Sequence, residues 1–324
     1  MSKRTSPLAL LLIIMVGLSA SCSGSSPAPA LNPIKVEWSL RQGDYTLLVA
    51  NQMGYFKNHG ISVEPVHYDI NSQAISDLAG AKLDGGIFTM SDVLLTSSIA
   101  DIKAVLVSDS GGQYTIVGSP DIKSVQALRG KRIGLNLHSS SEMFISYMLE
   151  GDHMTSNDVT YVEMSPDQVI NAIPGQIDAG LVWEPFTTQA LQQGKVVVYQ
   201  SEINSTLLPR LLVFRKAFVD ERPDDIRAFI LAWNEAVEYR ISHPQEALAI
   251  ISKITGSTTS DLSLSSDVSL YTIKDNSMLF GNTVGSDPSS IYYISRFNRS
   301  FLLTIGYLTN PPDVGTILDP AFLK

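Results

Sequence analysis

An indole and a carboxylate stand side by side at Trp183 and Glu184, where the apolar stretch 175–182 ends. Pro185 follows; it cannot donate a hydrogen bond to a sheet but suits the first turn of a helix, so the chain must turn there. At such a turn an indole can stack on an apolar or cationic group, and a carboxylate can accept a hydrogen bond from an amine. The alternative is that Trp183 belongs to the core and its N–H finds a partner there. We predict that Trp183 and Glu184 contact a ligand.

Three consecutive serines, Ser139, Ser140 and Ser141, separate the strand-like run 132–136 from a segment with apolar residues at helical spacing. Serine is a common N-cap, and Glu142 in the first turn is favourable to the helix dipole. The hydroxyls and free N–H groups of a helix start can also hold an anionic group. We predict that Ser141 caps the helix and that Ser139 and Ser140 contact a ligand.

Two further strand-like runs end in polar residues. The first is followed by Arg41, Gln42 and Asp44, and Asp44 could serve either as a helix cap or as a ligand contact. Among these three residues, Gln42 is the preferred ligand contact. The other run leads into Thr89, Met90, Ser91 and Asp92, where Ser91 or Asp92 is predicted to cap the next helix. We predict that Thr89, Ser91 and Asp92 also face the ligand, because a cap can be a ligand contact as well.

The sequence offers little for catalysis. Its five histidines lack the HExxH spacing of a zinc protease, and GxSxG, GxGxxG and P-loop motifs are missing. His138 adjoins Ser139 only in sequence. We therefore predict no catalytic residue, no metal site and no cofactor.

Length and charge narrow the class of protein. The chain has 324 residues, enough for two packed domains, and 44% of them are hydrophobic. The formal net charge is −9, which gives no electrostatic reason to expect binding to nucleic acid.

The N-terminus has the layout of an export signal. Lys3 and Arg4 precede an apolar run over 8–18 that is too short to span a membrane, and Cys22, the single cysteine, follows it. This arrangement resembles a bacterial lipoprotein signal, although Ser19 stands where Leu is usual. We predict a signal peptide over 1–22, lipidation of Cys22 and a flexible tether over 23–33. The alternative is a plain signal peptide that is cleaved nearby.

These polar residues must be positioned by alternating strands and helices, which indicate an α/β protein with mainly parallel sheets. In such sheets ligands bind beyond the carboxyl ends of the strands. Predicted helices cover 46–60, 71–81, 91–99, 140–150, 166–174, 185–193 and 223–254, the last broken at His243 and Pro244. Predicted strands cover 35–40, 61–68, 85–90, 103–108, 114–118, 132–136, 159–164, 179–183, 195–200 and 211–215.

One stretch occurs twice in similar form. Residues 78–90 align with 172–184, so that Asp84 falls on Asp178 and Gly86 on Gly180. Each copy reads as a helix end, a turn with Asp, and a short strand. Coincidence is the alternative, because helix–turn–strand units look alike. If the similarity is not a coincidence, it predicts two lobes of similar build whose strand ends face a shared cleft.

The segments 45–64, 82–86, 124–149 and 176–186, with the closing PPDVGTILDPAFL, resemble the substrate-binding proteins of ABC importers. The branch they resemble serves sulfonates, taurine, nitrate and thiamine-pyrimidine precursors. The resemblance runs from about Val36 to Phe322. It implies a two-lobe periplasmic-binding-protein fold of type 2, with a ligand cleft between lobes that close on the ligand. Lobe 1 would comprise 34–114 and 212–324, and lobe 2 would comprise 115–211.

The resemblance also implies roles and partners. Family members bind the acidic group of the ligand at the turn that Ser139 and Ser140 occupy here, and they carry an acidic residue, Pro and an aromatic where this chain has Glu184, Pro185 and Phe186. The partners would be a small-molecule ligand, an ABC permease with its ATPase and, through the lipid anchor, a membrane of the bacterial cell envelope. The protein would be a monomer.

The ligand class follows from charge. Asp44, Asp92 and Glu184 in one small site would repel a bare anion, which favours a taurine-like zwitterion or an amine-bearing pyrimidine. Two other functions stay open. One is an enzyme of the related branch that makes the thiamine pyrimidine, although that branch uses a cysteine-rich iron site. The other is a ligand-sensing subunit of a receptor.

Overall fold

The strands of this protein are short and mostly buried on both faces, as strands between helix layers are. The computed structural model describes residues 32–111, 114–137, 139–200, 208–264, 268–283, 287 and 289–324. The predicted signal peptide, Cys22 and most of the tether lie outside these residues, as does His138.

The described residues form eleven strands and fourteen α-helices. The strands are β1 Ile34–Trp38, β2 Val63–His67, β3 Gly85–Thr89, β4 Ile102–Gly111, β5 Thr115–Gly118, β6 Arg132–Leu135, β7 Thr160–Glu163, β8 Ala179–Val182, β9 Val196–Gln200, β10 Arg210–Arg215 and β11 Val268–Leu270. The helices are α1 Tyr45–Gln52, α2 Tyr55–Asn58, α3 Asn71–Ala79, α4 Met90–Thr96, α5 Ser140–Gly151, α6 Pro166–Ala172, α7 Phe186–Gln192, α8 Lys216–Glu221, α9 Pro223–Ser242, α10 Pro244–Thr255, α11 Thr259–Leu264, α12 Ile273–Gly281, α13 Ile291–Thr304 and α14 Val314–Ile317.

The strands assemble into two sheets. The first sheet has the order β11-β4-β10-β3-β1-β2, and the second has the order β7-β6-β8-β5-β9. The chain passes from the first sheet to the second between β4 and β5, and it returns between β9 and β10. The lobe boundaries at 114/115 and 211/212 stay a prediction.

Each sheet contains a reversed interior strand, which runs opposite to both of its neighbours. β10 runs antiparallel to both β3 and β4, and β5 runs antiparallel to both β8 and β9. As a result, the N-terminal ends of β10 and β5 lie at the same sheet edges as the carboxyl ends of their neighbours.

All ten predicted strands are present, with ends shifted by at most three residues. β11 was not predicted, because three residues carry too weak a pattern. The single helix predicted over 46–60 is wrong: Gly54 adopts a left-handed φ of 74° and separates α1 from α2. The predicted break at His243 and Pro244 is confirmed, since α9 ends at Ser242 and α10 begins at Pro244.

The core shows how both faces of each sheet are covered. In the second sheet, Ile116 and Leu181 pack into one hydrophobic cluster, while their neighbours Val117 and Val182 pack into another on the opposite face. One larger cluster spans the first sheet and the helices around it, including α9, which packs on α1. This packing holds the carboxyl edges of the sheets in place.

The repeated stretch has the same structure in both sheets. Asp84 accepts a hydrogen bond from the Lys35 N–H at 2.9 Å, and Asp178 accepts one from the Arg132 N–H at 2.8 Å. In each copy the Asp N–H also donates to the carbonyl of that same partner residue. Each Asp thus ties its turn to the neighbouring parallel strand.

Candidate functional site

A cavity of about 120 Å³ lies where the carboxyl edges of the two sheets meet. Its volume is close to the roughly 150 Å³ of an engineered cavity that holds benzene, so it suits a small molecule. The lining residues from the first-sheet side are Leu40, Arg41, Gln42, Tyr45, Thr89, Asp109, Gly111, Leu208, Arg210, Ser257, Leu262 and Val268. Those from the second-sheet side are Tyr114, Trp183, Glu184, Pro185 and Phe186.

Three polar lining residues form a row across the first sheet. Arg210 is the first residue of β10, and its register partners are Thr89 on β3 and Asp109 on β4. A hydroxyl, a guanidinium and a carboxyl therefore stand next to one another at the edge of the cavity.

The Arg210 side chain is 9% exposed and is fixed by two contacts. Its Nη2 donates to the carbonyl of Ile87 at 2.8 Å, and its Nη1 is in close contact with Oδ1 of Asp44. Burial lowers the pKa of the guanidinium, but the carboxylates of Asp44 and Asp109 outweigh that effect and raise it above its ordinary value. Within the described part of the chain, Arg210 Nε has no hydrogen-bond acceptor.

Asp109 is almost completely buried beside this guanidinium. Its Oδ2 accepts a 2.6 Å hydrogen bond from the Ser108 hydroxyl and lies 3.9 Å from Arg210 Nη1. Burial raises the pKa of Asp109, and Arg210 opposes the rise. A Cβ at Gly43 would come within 1.7 Å of Oδ2, so only glycine fits there.

Glu37 is a second buried acid beneath the same edge. Its carboxylate accepts a hydrogen bond from the Ile87 N–H at 3.0 Å. Burial raises the pKa of Glu37 to about 8, and the nearby charge of Asp44 adds to the rise. At neutral pH this carboxyl is therefore mostly protonated.

Gln42 lines the cavity and is held from two sides. Its Nε2 donates to the carbonyl of Leu262 at 2.8 Å, and its Oε1 accepts from Arg240 Nη2 at 3.2 Å. Arg240 also donates from Nη1 to the Gln42 carbonyl at 2.9 Å. Burial lowers the pKa of Arg240 to about 10, so it still carries its charge at neutral pH.

The opposite wall is aromatic. The Trp183 and Tyr114 ring centroids are 5.8 Å apart, and the guanidinium carbon of Arg41 lies 5.1 Å from the Trp183 ring centroid. Such a contact is a cation–π interaction, which here joins a residue that follows β1 to one that follows β8. Trp183 is partly exposed, and it packs against the edge of a hydrophobic cluster of the second sheet while also lining the cavity.

Glu184 lines the cavity but also binds its own helix. Its carboxylate accepts hydrogen bonds from the N–H of Thr188 at 3.2 Å and from the Thr188 hydroxyl at 3.1 Å. As predicted, the chain turns at Pro185, and α7 begins at Phe186.

The serine turn is arranged differently from the prediction. The N-cap of α5 is Ser139, whose Oγ accepts from the Ser141 N–H at 3.1 Å, so the prediction that Ser141 is the cap is wrong. The Ser140 hydroxyl is within hydrogen-bond distance, 2.9 Å, of the Tyr114 hydroxyl. Neither Ser139 nor Ser140 lines the cavity.

Three further predicted ligand contacts, Asp44, Ser91 and Asp92, do not line the cavity. Asp44 is fully buried at the start of α1, where its Oδ2 accepts from the N–H and hydroxyl of Ser39 and makes no side-chain cap. Ser91 is buried and donates to Asn298 at 3.1 Å. Asp92 completes a capping box in which Thr89 is the N-cap, so the prediction of Ser91 or Asp92 as the cap is wrong. The signal for Thr89 was its position three residues before Asp92.

Of the ten predicted contacts, those that line the cavity are Arg41, Gln42, Thr89, Trp183 and Glu184. Sequence reasoning missed Asp109, Tyr114 and Arg210. Asp109 follows the predicted run 103–108, so the carboxyl-end rule applied to it. Tyr114 and Arg210 stand at the N-terminal ends of the reversed strands, where that rule does not apply.

None of the helices in the described part of the chain combines the length and the hydropathy of a membrane span. The described residues also include no cluster of three or more His, Cys, Asp and Glu side chains placed to hold a metal ion.

The chain is similar in sequence to two proteins whose names state a role. It is 26% identical over 256 residues to an aliphatic sulfonates-binding protein of Bacillus subtilis, covering 76% of this chain and 77% of that protein. It is 22% identical over 233 residues to a 4-amino-5-hydroxymethyl-2-methylpyrimidine phosphate synthase of Candida albicans, covering 66% of this chain and 68% of that enzyme.

A solved structure shares the fold. The periplasmic aliphatic sulphonate binding protein of Escherichia coli matches with a TM-score of 0.71 and 15% identity, over 91% of this chain and 100% of that one. The protein therefore has the two-lobe α/β architecture of periplasmic binding proteins. Residues 45–247 match the family described as NMT1/THI5 like, and because this match spans more than half of the 324 residues, the chain belongs to that family.

Proposed function

We propose that this protein is the solute-binding component of an ABC import system and that it captures a small sulfonate-like ligand. The observation that carries the proposal is the cavity at the meeting carboxyl edges of two α/β sheets, with guanidinium groups and aromatic rings in its lining. Similarity to the Bacillus subtilis sulfonates-binding protein supports it.

The charges of the lining favour a zwitterion over a bare anion. The three carboxylates that suggested this from sequence are not the relevant ones, because Asp44 and Asp92 lie outside the lining. The described lining instead contains two cations, Arg41 and Arg210, and two acids, Asp109 and Glu184. A ligand that carries both a sulfonate and an amine, such as taurine, would match both kinds of group. An amine-bearing pyrimidine is the other ligand class that the aromatic wall would accept.

Capture would proceed by closure of the lobes. The two crossovers between the sheets would act as hinges, and the ligand would gain contacts from both walls only when the lobes meet. The contact between Arg41 and Trp183 joins the two walls, so it is one of the contacts that a change in the angle between the lobes would rearrange.

The partners follow from this role. The closed form would deliver the ligand to an ABC permease with its ATPase, and the protein would act as a monomer. A lipid on Cys22 would hold it at the outer face of a membrane of the cell envelope, with 23–33 as the tether.

Titration calorimetry tests the function. We would titrate taurine, ethanesulfonate, nitrate and an aminopyrimidine into the protein without its first 22 residues. Binding of taurine or ethanesulfonate is expected, and binding of nitrate alone would contradict the proposal. Crystal structures with and without the bound compound should differ in the angle between the lobes, and identical angles would argue against closure.

The relative named as a pyrimidine phosphate synthase supports one alternative, an enzyme of that branch. Mass spectrometry of small molecules that co-purify with the protein separates the two functions. A sulfonate would support solute binding, whereas a phosphorylated pyrimidine would support the enzyme.

A further inference from the structure

We propose that the acidic group of the ligand is bound by Arg210 on the first sheet and not by the serine turn on the second. This inference rests on the proposed function, since it assigns one part of the same ligand to one residue. It departs from the family resemblance, which implies that Ser139 and Ser140 bind that group.

The hydroxyls of the serine turn already have protein partners. Ser139 Oγ donates to the carbonyl of Asn136 at 2.7 Å and accepts from the Ser141 N–H at 3.1 Å. Ser140 Oγ pairs with the hydroxyl of Tyr114, which does line the cavity. The turn therefore positions the aromatic wall and caps α5, and its hydroxyls would have to break these bonds to reach a ligand.

Arg210, in contrast to the serine turn, is placed to bind an anion. It lines the cavity, and its side chain is held in place by the Ile87 carbonyl and by Asp44. The Nε–H group has no acceptor among the described residues, which is unusual for a buried guanidinium. A sulfonate oxygen beside the guanidinium would supply one, and the hydrogen bond would be charge-assisted.

Arg41, the other cation of the described lining, is used differently. Its guanidinium carbon lies over the Trp183 ring at 5.1 Å, and its side chain is partly exposed. Because solvent screens a charge at such a position, an anion gains less there than beside a buried guanidinium. Arg210 is therefore the stronger anion-binding group of the two.

Asp44 competes with the ligand for this charge. It is fully buried, and its Oδ1 is the close partner of Arg210 Nη1. A bound sulfonate would share the guanidinium with this carboxylate at the cost of repulsion between the two anions. Removing the charge of Asp44 while keeping its shape should therefore strengthen anion binding.

The same strand supplies a matched control. Arg215, at the other end of β10, donates from Nε to the carbonyl of Leu83 at 2.8 Å and pairs with Asp84 at 2.7 Å. It thus makes the same kinds of contact as Arg210, a carbonyl and a carboxylate, but it does not line the cavity.

The test is titration calorimetry of ethanesulfonate and of uncharged ethanesulfonamide with four variants, all checked for thermal unfolding. For ethanesulfonate, we expect Arg210→Gln to weaken binding about tenfold or more and Asp44→Asn to strengthen it about threefold. Arg215→Gln and Asp84→Asn should leave it unchanged. Binding of the sulfonamide should respond little to any of them, so the preference for the charged compound falls in Arg210→Gln and rises in Asp44→Asn.

Opposite effects of Arg210→Gln and Asp44→Asn cannot come from a general loss of folding. If wild-type protein binds ethanesulfonate and Arg210→Gln binds it equally well, this inference is wrong while the proposed function stands. If Ser139→Ala combined with Ser140→Ala instead weakens binding of the sulfonate selectively, the serine turn is the anion site. If wild-type protein binds neither ethanesulfonate nor taurine, both proposals fail.

Discussion

Asp84 and Asp178 make the same contacts in the two sheets, yet the strands that follow them end in different chemistry. After β3 the chain enters α4 directly, and Met90, Ser91 and Asp92 are all buried. After β8 the chain presents Trp183 and Glu184, both partly exposed, before α7 begins.

The difference shows how one folding unit serves two purposes. The turn and the strand are determined by backbone hydrogen bonds to the neighbouring strand and by core packing, so they are alike. The residues beyond the strand are free of those constraints, so one copy closes the core while the other forms the aromatic wall of the cavity.

The two units also differ beneath the sheet edge. Glu37 stands two residues after Lys35, the partner of Asp84, whereas Gly134 stands two residues after Arg132, the partner of Asp178. The first unit therefore carries a buried acid where the second unit has no side chain. In the second unit a Cβ at Gly134 would meet Ile177 at 2.6 Å, which leaves no room there.

The largest effect is expected from removing either turn carboxylate. Asp84→Ala and Asp178→Ala should each lower the free energy of unfolding by about 2–4 kcal/mol, because each leaves a backbone N–H and an arginine without their partner. Urea unfolding measures this. The hydrogen bonds from Arg132 lower the pKa of Asp178, so the stability it provides is present above its unfolded pKa and is lost as the pH falls.

The control for these two variants is Asp220→Ala, which removes an exposed ion pair with Lys216 and should change the free energy of unfolding little. A large effect at Asp84 together with none at Asp178 would mean that the two units are alike in geometry but not in energetics.

Trp183→Ala should come next in size. Loss of the ring removes the contacts with Arg41 and Tyr114 and should weaken binding of the preferred sulfonate about tenfold. Thr89→Ala, at the matching position of the other unit, should weaken binding much less. Unchanged affinity in Trp183→Ala, measured by calorimetry, would make the indole a wall behind the ligand and not a contact.

Glu37→Gln tests the buried acid of the first unit. Because the folded-state pKa of Glu37 is raised to about 8, its protonated form is favoured in the folded protein, and stability is lost as the pH rises from about 4.5 to about 8. The neutral amide of Gln removes that loss. It should raise the free energy of unfolding by about 1–3 kcal/mol at pH 8 and leave it unchanged near pH 4. Thermal unfolding at several pH values measures this. Glu64→Gln on the exposed side of β2 should show no such gain.

The smallest effects are expected at the helix starts. Asp92→Ala breaks the capping box of α4 and should lower the free energy of unfolding by about 1 kcal/mol. Glu184→Ala should lower it by about half as much, because among the described residues the Glu184 carboxylate bonds Thr188 alone, near the start of α7. Equal losses in the free energy of unfolding, measured with urea, would mean that Glu184 stabilises the start of α7 as much as Asp92 stabilises the start of α4.

The elements of the fold could be predicted because apolar periodicity and turn residues are local properties of the sequence. Asp84 and Asp178 could be aligned for the same reason. The reversed strands could not be recognised, since strand direction depends on which strands pair. The carboxyl-end rule therefore found Trp183 and Thr89, but it passed over Tyr114 and Arg210.

The burial of charged side chains was the other reason why some predicted ligand contacts do not line the cavity. Asp44 looks like a cap or a ligand contact from its neighbours, yet its partner Arg210 lies far away in the sequence. Ion pairs of this kind leave no local pattern. The same holds for Gln42, whose partners Leu262 and Arg240 come from the last third of the chain.

The central position of β10 has a consequence for biosynthesis. β10 pairs with both β3 and β4 and is made only after the whole second sheet, so a chain that has emerged as far as Gln200 leaves one edge of β3 and both edges of β4 without their partner strands. Contacts this distant in sequence also form slowly. We expect the first sheet to be completed last, and a ligand that binds Arg210 would stabilise the step that finishes the protein.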